Sequence, residues 1–212
     1  MNEIRNLRKE YSSSTLDICD VDASPFAQLE KWIKEAIKAE VLEPHAMCLS
    51  TVSAEGRPSS RIVLLRVLHE GKMGFFTNYR SRKASELGDG ANVALNFFWA
   101  ELERQVRIEG KVYKSSVENS DMYFQSRPPD SQIGAWASPQ SQKLKDRAEL
   151  EKLISDTQAN FKNEPIPRPE FWGGYEVVPE AFEFWQGRPS RLHDRILYEM
   201  LDGHWQLSRL AP

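Results

Sequence analysis

The sequence predicts one mainly β domain, a barrel of short strands with helices packed around it. Three observations carry that reading. Between Ala46 and Tyr113, short runs rich in β-branched and aromatic residues alternate with turn formers such as Glu55-Gly56-Arg57-Pro58. The same rhythm resumes after Trp172-Gly173-Gly174 and continues toward the C-terminus. Helical periodicity is confined to a few segments, and many short strands with few helices suit a barrel. At 212 residues with 40% hydrophobic content, the chain suffices for one sizeable core.

Residues 1–20 are polar and Ser-rich (Tyr11-Ser12-Ser13-Ser14-Thr15) and are expected to form a mobile arm, leaving 21–212 as the single domain. Ser24-Pro25 reads as an N-cap and first helical residue. Phe26, Leu29, Trp32, Ile33, Ala36 and Ile37 follow at helical spacing, so a core-facing helix is expected over 25–41. An antiparallel meander should then use strands at 46–53, 59–68, 73–77, 92–99 and 103–113. Short helices are expected at 81–87 and 117–125, and a longer charged one at 143–160 with Leu150, Leu153, Ile154 and Thr157 on one side. Pro165-Ile166-Pro167-Arg168-Pro169 is a rigid connection. Strands at 175–178, 181–185, 195–200 and 204–207 complete the fold.

A net charge of -3 argues against a general nucleic-acid binder, so any positive charge that matters must be local. No apolar run reaches the roughly 18 to 20 residues of a membrane span. Residues 1–5 lack an apolar signal core, so a soluble, cytoplasmic protein is expected. Cys19 and Cys48 are too few for a disulfide framework, and His45, His69, His193 and His204 show no zinc spacing, so no metal site is expected. There is no dinucleotide fingerprint, P-loop or nucleophile elbow.

The chemistry concentrates in a few blocks. Arg191, His193 and Arg195 sit at spacing two, so an extended segment would aim all three at one face, where an anion or solvent must relieve their repulsion. Arg61 and Arg66 flank the apolar run Ile62 to Leu65 and face opposite sides of a regular strand, implying two separate anions or one anion and solvent, though a core strand with two surface arginines fits the segment as well. Ser81-Arg82-Lys83 opens a helix and offers cations to a phosphate, though the same triplet fits a capped helix with solvated charges. Gln105 lies on the charged face of an alternating strand, where its amide can meet a heterocycle or solvent. Tyr123, Arg127 and Ser131 recur at spacing four across Pro128-Pro129 and are phosphate-compatible, while Ser131 also fits a cap beside Asp130.

Nine ordered blocks resemble the pyridoxine (pyridoxamine) 5'-phosphate oxidase family. They are Arg61 to Arg66; Phe75-Phe76-Thr77 with Ser81 to Lys83; Glu103 to Val106; Tyr123 to Pro128 with Asp130 to Ala135; Gln140-Ser141; Phe171 to Gly174; Phe184 to Gly187; Arg191 to Arg195; and Arg209 to Pro212. The resemblance implies an FMN-binding split β-barrel and a homodimer with FMN at the interface. It also implies oxidation of pyridoxine 5'-phosphate or pyridoxamine 5'-phosphate to pyridoxal 5'-phosphate, with O2 reduced to H2O2. By position it implies FMN contacts from Arg61, Ile62, Val63, Leu64, Leu65, Arg66, Phe76, Thr77, Ser81, Arg82, Lys83, Gln105, Gln140, Ser141, Trp185 and Arg195. Substrate contacts fall to Arg66, Tyr123, Arg127 and Ser131 for the phosphate, with Arg191, Leu192 and His193 at the ring and Arg8 and Tyr11 closing over it.

Arg191 and His193 are the catalytic candidates, positioning a substrate that gives up a hydride from C4', while Arg195 would stabilise the reduced flavin. The family usually has lysine where this chain has Arg66, so a planar fork replaces a compact ammonium. Each phosphate monoester carries about -1.5 to -2 charges, and the two cation sets come close to matching two of them. A related split-barrel flavoenzyme, either a phenazine-type oxidase or a flavin reductase, and a non-catalytic pyridoxal-phosphate-binding protein are the alternatives.

Overall fold

The computed structural model describes residues 10–69, 71–162 and 164–212. Nine strands form one curled antiparallel sheet: β1 (Ala46–Val52), β2 (Pro58–Leu64), β3 (Val67–His69), β4 (Lys72–Asn78), β5 (Ala91–Trp99), β6 (Arg104–Lys114), β7 (Trp172–Gln186), β8 (Asp194–Leu201) and β9 (His204–Arg209). Their order is β2-β1-β5-β6-β7-β4-β3, with β8 also on β7 and β9 on β8. The simple meander expected from sequence is therefore interrupted. β4 keeps β3 on one edge but takes the first half of β7, not β5, on the other, and β1 pairs with β5. Those two non-local pairings curl the sheet into a half-barrel.

Helix α1 (Pro25–Lys38) follows the Ser24 cap, whose hydroxyl accepts the Ala27 N–H. It buries Phe26, Leu29, Trp32 and Ala36 against the sheet, where Trp32 meets Phe184 edge-on at 5.2 Å. It ends three residues before the expected limit, because Glu40 turns to φ +55. Helices α2 (Arg82–Glu86) and α3 (Val117–Gln125) lie where the sequence placed them. A fourth, α4 (Pro129–Ala137), begins just ahead of the cap that the sequence offered at Asp130 and Ser131; Pro129 at its first turn starts it with no N–H to satisfy. The long charged helix is α5 (Arg147–Asn160), which starts at the Asp146 cap rather than at 143 and buries no residue fully.

Two strand readings are corrected. The expected strand 59–68 breaks at Leu65 and Arg66, whose N–H groups bond to His45 and Gly74 carbonyls as the chain passes from β2 to β3. Arg61 and Arg66 are therefore not the two ends of one regular strand. The expected strands 175–178 and 181–185 are one continuous strand, β7, with a register irregularity opposite Glu109 and Gly110.

No helix among the described residues is long and apolar enough to cross a membrane. No group of three or more metal-ligating side chains is assembled among them either.

Candidate active site

The candidate residues gather at the two ends of β7. At its start, Thr77 pairs with Gly173 and Phe76 with Gly174. Gly174 is required there, because a Cβ would stand 2.9 Å from the Phe76 ring. This close approach lets Phe76 stack on Tyr123 at 3.9 Å and 17°, with Trp172 parallel to Phe76 at 5.6 Å.

Beside that stack, Lys83 donates to Thr77 Oγ1 at 3.1 Å and to Gln140 Oε1 at 3.0 Å, and meets no carboxylate among the described residues. Burial and the nearby Arg61 charge hold its amine below the usual lysine value. Arg61 donates to Ser59 Oγ at 2.6 Å and to Thr51, and lies 3.3 Å from Glu86. Arg82 reaches the other Glu86 oxygen at 3.1 Å. Hydrogen bonds from Ser59 and Thr51, opposed by burial and aided by Arg82 and Arg61, bring Glu86 down to about 2. Ser81 is buried, and its hydroxyl has no partner among the described residues.

A second basic set adjoins the first. Arg127 lies over the Trp172 ring at 4.6 Å, and its Nη1 is buried without a partner. Burial chiefly lowers its pKa; Tyr123 opposes that shift and Arg66 adds to it, so Arg66 and Arg127 share one field. Neither guanidinium meets a carboxylate among the described residues. A cavity of about 230 Å³ joins Arg127 and Ser131 to Asn78 and Gln140, and so to Lys83. Lys83, Arg66 and Arg127, none with a carboxylate partner among the described residues, together with the buried Ser81 hydroxyl, fit two phosphate groups.

The far end of β7 is different. Register places Phe98, Gln105, Trp185 and Arg195 in one cross-sheet row. Arg195 is not a free cation: Glu183 takes its Nε at 2.8 Å and its Nη2 at 3.0 Å, and the pairing raises the arginine's pKa. Glu183 also holds Arg107 at 3.1 Å. The expectation that Arg191, His193 and Arg195 share one strand face is overturned. β8 begins at Asp194, while Arg191 lies in a tight turn at φ +62, exposed with Leu192. Ser141, also exposed, has φ +72. Such angles are uncommon outside glycine and cluster at functional sites.

His193 packs on Trp185 at 4.7 Å and on Tyr11 at 5.8 Å. Its Nδ1 accepts the Arg188 N–H at 3.1 Å, so the neutral ring carries its proton on Nε2. Burial, then Arg191, lowers its pKa against the opposing Asp194. Tyr11 belongs to the arm expected to be mobile; in this structure residues 11–16 lie on the barrel, with Leu16 buried. Arg8 lies outside the described residues.

Of the apolar candidates, Ile62 is 66% exposed, Val63 and Leu64 are half-buried and Leu65 is buried. Glu86 and Glu183, which orient three of the candidate arginines, were missed in the sequence. Glu86 stands four residues after Arg82, a spacing that signals helical pairing, whereas Glu183 is found only through strand register.

A family described as pyridoxamine 5'-phosphate oxidase matches residues 33–160. Residues 172–212 match one described as the pyridoxine 5'-phosphate oxidase C-terminal dimerisation region. The pyridoxine/pyridoxamine 5'-phosphate oxidase of Paraburkholderia phytofirmans is 52% identical over 214 residues, with all of both chains covered. This chain belongs to the pyridoxine/pyridoxamine 5'-phosphate oxidase family.

The Paraburkholderia xenovorans member is 53% identical over the full length of both chains. Among solved structures, PhzG from Burkholderia lata 383, in complex with tetrahydrophenazine-1-carboxylic acid, has a TM-score of 0.87 and 29% identity, covering 95% of this chain and 100% of its own. A pyridoxamine 5'-phosphate oxidase-related, FMN binding protein from Nostoc punctiforme has a TM-score of 0.71 at 17% identity, covering 89% of this chain and 98% of its own. It shows the fold, the FMN-binding split barrel. Family membership makes this chain an oxidoreductase and a flavoprotein whose cofactor is FMN.

Proposed function

We propose that the chain oxidises pyridoxine 5'-phosphate to pyridoxal 5'-phosphate, and pyridoxamine 5'-phosphate to an imine that water hydrolyses to the same product with loss of ammonia, molecular oxygen being the final acceptor and hydrogen peroxide released. The observation that carries this reading is the pair of adjacent anion-ready sets at the start of β7, one around Lys83 and one around Arg127, each with a buried donor lacking a partner. A cofactor with one terminal phosphate and a substrate with one phosphate account for both.

FMN, when bound, supplies the two-electron acceptor. Lys83, Arg61, Arg82 and Ser81 would hold its phosphate, with Ile62 to Leu65, Phe76, Thr77, Gln140 and Ser141 along it. Arg66, Tyr123, Arg127 and Ser131 would hold the substrate phosphate through charge-assisted bonds. Gln105, Trp185 and Arg195 would border the flavin ring. Glu183 fixes the Arg195 plane while leaving N–H groups on Nη1 and Nη2 for a ring carbonyl. His193 would donate from Nε2 to the oxygen or amine at C4', and that group's proton would leave to solvent. Arg191 and Leu192 would cover the substrate ring, with Tyr11 and Arg8 closing above.

Each site would be shared by two copies of the chain. Thr77 pairs with Gly173 and Gln105 with Trp185, twelve residues further along β7. At about 3.3 Å per residue that is about 40 Å of strand, more than one flavin mononucleotide spans. A homodimer in which the start of one β7 faces the end of its partner's would complete two equivalent sites.

Peroxide release under air by FMN-loaded protein tests the reaction. Turnover is expected with both phosphorylated vitamers and much less with unphosphorylated pyridoxine. Preferred turnover of a tetrahydrophenazine carboxylate would assign a PhzG-like activity instead, and retention of pyridoxal phosphate without peroxide would assign a binding protein.

A further inference from the structure

Residues 12–16 are attached to the barrel by charged side chains rather than by strand pairing. Glu103 Oε2 accepts the N–H of Ser12 at 2.8 Å and of Ser13 at 3.0 Å. Asp194 accepts the Leu16 N–H at 3.1 Å, Arg188 donates to the Ser14 carbonyl at 3.1 Å, and Arg209 donates to the Leu16 carbonyl at 3.2 Å. Glu103 is the fastener next to Tyr11. It is 3% exposed, lies at φ +56 just before β6, and its carbonyl takes the N–H of Gly187 at 2.8 Å. That bond brings Gly187 under Tyr11: a Cβ on Gly187 would stand 2.8 Å from both Cβ and Cγ of the tyrosine and 3.0 Å from Glu103 Cβ. Gly187 directly follows β7 and is held by the Glu103 carbonyl, so the arm would have to move. Tyr11 in turn touches Trp185 at 5.7 Å and His193 at 5.8 Å.

We propose that Glu103 and Gly187 form a latch that seats Tyr11 against Trp185 and His193, and so sets substrate affinity without touching substrate or flavin. Glu103 is thus a positioning residue: it supplies the acceptor that orders the arm, and Gly187 supplies the room. The effect on substrate rests on the oxidase reading above, while the latch itself does not.

Two measurements on the FMN-loaded protein separate these. Hydrogen exchange at the Ser12 and Ser13 amides reads the latch directly. Glu103→Ala and, independently, Gly187→Ala should each speed that exchange at least about tenfold, a shift of one decade corresponding to loss of one ordinary charge-assisted contact. Steady-state kinetics with pyridoxine 5'-phosphate reads the consequence. Both variants should raise KM about tenfold with kcat within about twofold and FMN content unchanged, a split that general loss of structure would not produce. Tyr11→Ala should raise KM similarly, and adding Glu103→Ala to it should cost little more, because both act through one contact.

Unchanged exchange in both variants would overturn the latch. Faster exchange with unchanged KM, or full additivity with Tyr11→Ala, would overturn its role in substrate binding. If the wild-type protein turns over no phosphorylated vitamer, the oxidase reading fails, while exchange still decides the latch. Gly187→Ala leaves the Glu103 carboxylate in place, so it decides the matter should Glu103→Ala fail to fold.

Discussion

The two ends of β7 carry similar numbers of arginines and behave oppositely. At the start, Lys83, Arg66 and Arg127 lack carboxylate partners among the described residues, and Ser81 Oγ and Arg127 Nη1 are buried and unpaired. At the far end Glu183 pairs with Arg195 and Arg107, Glu109 also with Arg107, Asp194 with Arg188 and Arg209, and Asp17 also with Arg209; of that group Arg191 alone has no carboxylate partner among the described residues. Partly buried cations such as Lys83 and Arg127, without counter-ions, are costly unless a ligand supplies the charge. The start of β7 is therefore built to receive anions, and the far end to present oriented donors and aromatic rings to something less charged. In the proposed function, phosphates lie at one end and ring systems at the other.

The start of β7 is itself graded, which gives the largest expected effect. Glu86 arranges Arg61 and Arg82 before any phosphate arrives, and its carboxyl is held at about 2 against an ordinary 4.5. A carboxylate depressed in the folded state stabilises above its unfolded pKa, and that contribution is lost as pH falls through the folded one. Acid unfolding of the wild type should thus lose about 3 kcal/mol between about pH 4.5 and 2 from this group alone. Glu86→Gln should lack that segment of the pH dependence and be less stable at pH 7. Matching urea midpoints across this window in the two proteins would mean that Glu86 does not organise the clamp.

Lys83→Ala should weaken FMN binding about a hundredfold, because one buried charge-assisted phosphate contact is removed. Fluorescence titration with free FMN measures it. Arg66→Ala should lower kcat/KM for pyridoxine 5'-phosphate about tenfold while the protein stays yellow, and Arg66→Lys should cost less, because the charge survives without the fork. If instead Arg66→Ala releases FMN and Lys83→Ala affects only KM, the division between cofactor and substrate sets is reversed.

Much of this layout was legible before any coordinates. The alternating runs gave the β class, Ser24-Pro25 gave the start of α1, and the Ser81-Arg82-Lys83 triplet marked a basic cluster that the structure places beside Thr77 and Gln140. What escaped depends on contacts far apart in sequence. The break at Leu65-Arg66 exists because His45 and Gly74 accept those N–H groups, and nothing in an apolar run of that length announces it. Helix α4 was hidden by Pro128-Pro129 at its start and Gly134 inside it, both of which read locally as loop. Arg195 looked like part of an anion site because its neutralising partner, Glu183, belongs to the adjacent strand and is found only once β7 and β8 are in register. The positive φ at Arg191, which takes it out of the strand, has no signature in a non-glycine residue.

Complementation between two impaired chains, at an FMN concentration too low to load the Lys83→Ala site, tests most directly whether one site is drawn from both ends of β7. A Lys83→Ala chain and an Arg195→Ala chain are each purified, then unfolded together, refolded with FMN and assayed for peroxide with pyridoxine 5'-phosphate. In a shared-site dimer, a mixed pair places both substitutions in one site and leaves the other intact, so activity should rise above that of either parent, to about half the wild-type rate per mixed dimer. If both ends of β7 in one chain serve the same flavin, every site in the mixture carries one substitution, and activity would stay at the average of the parents.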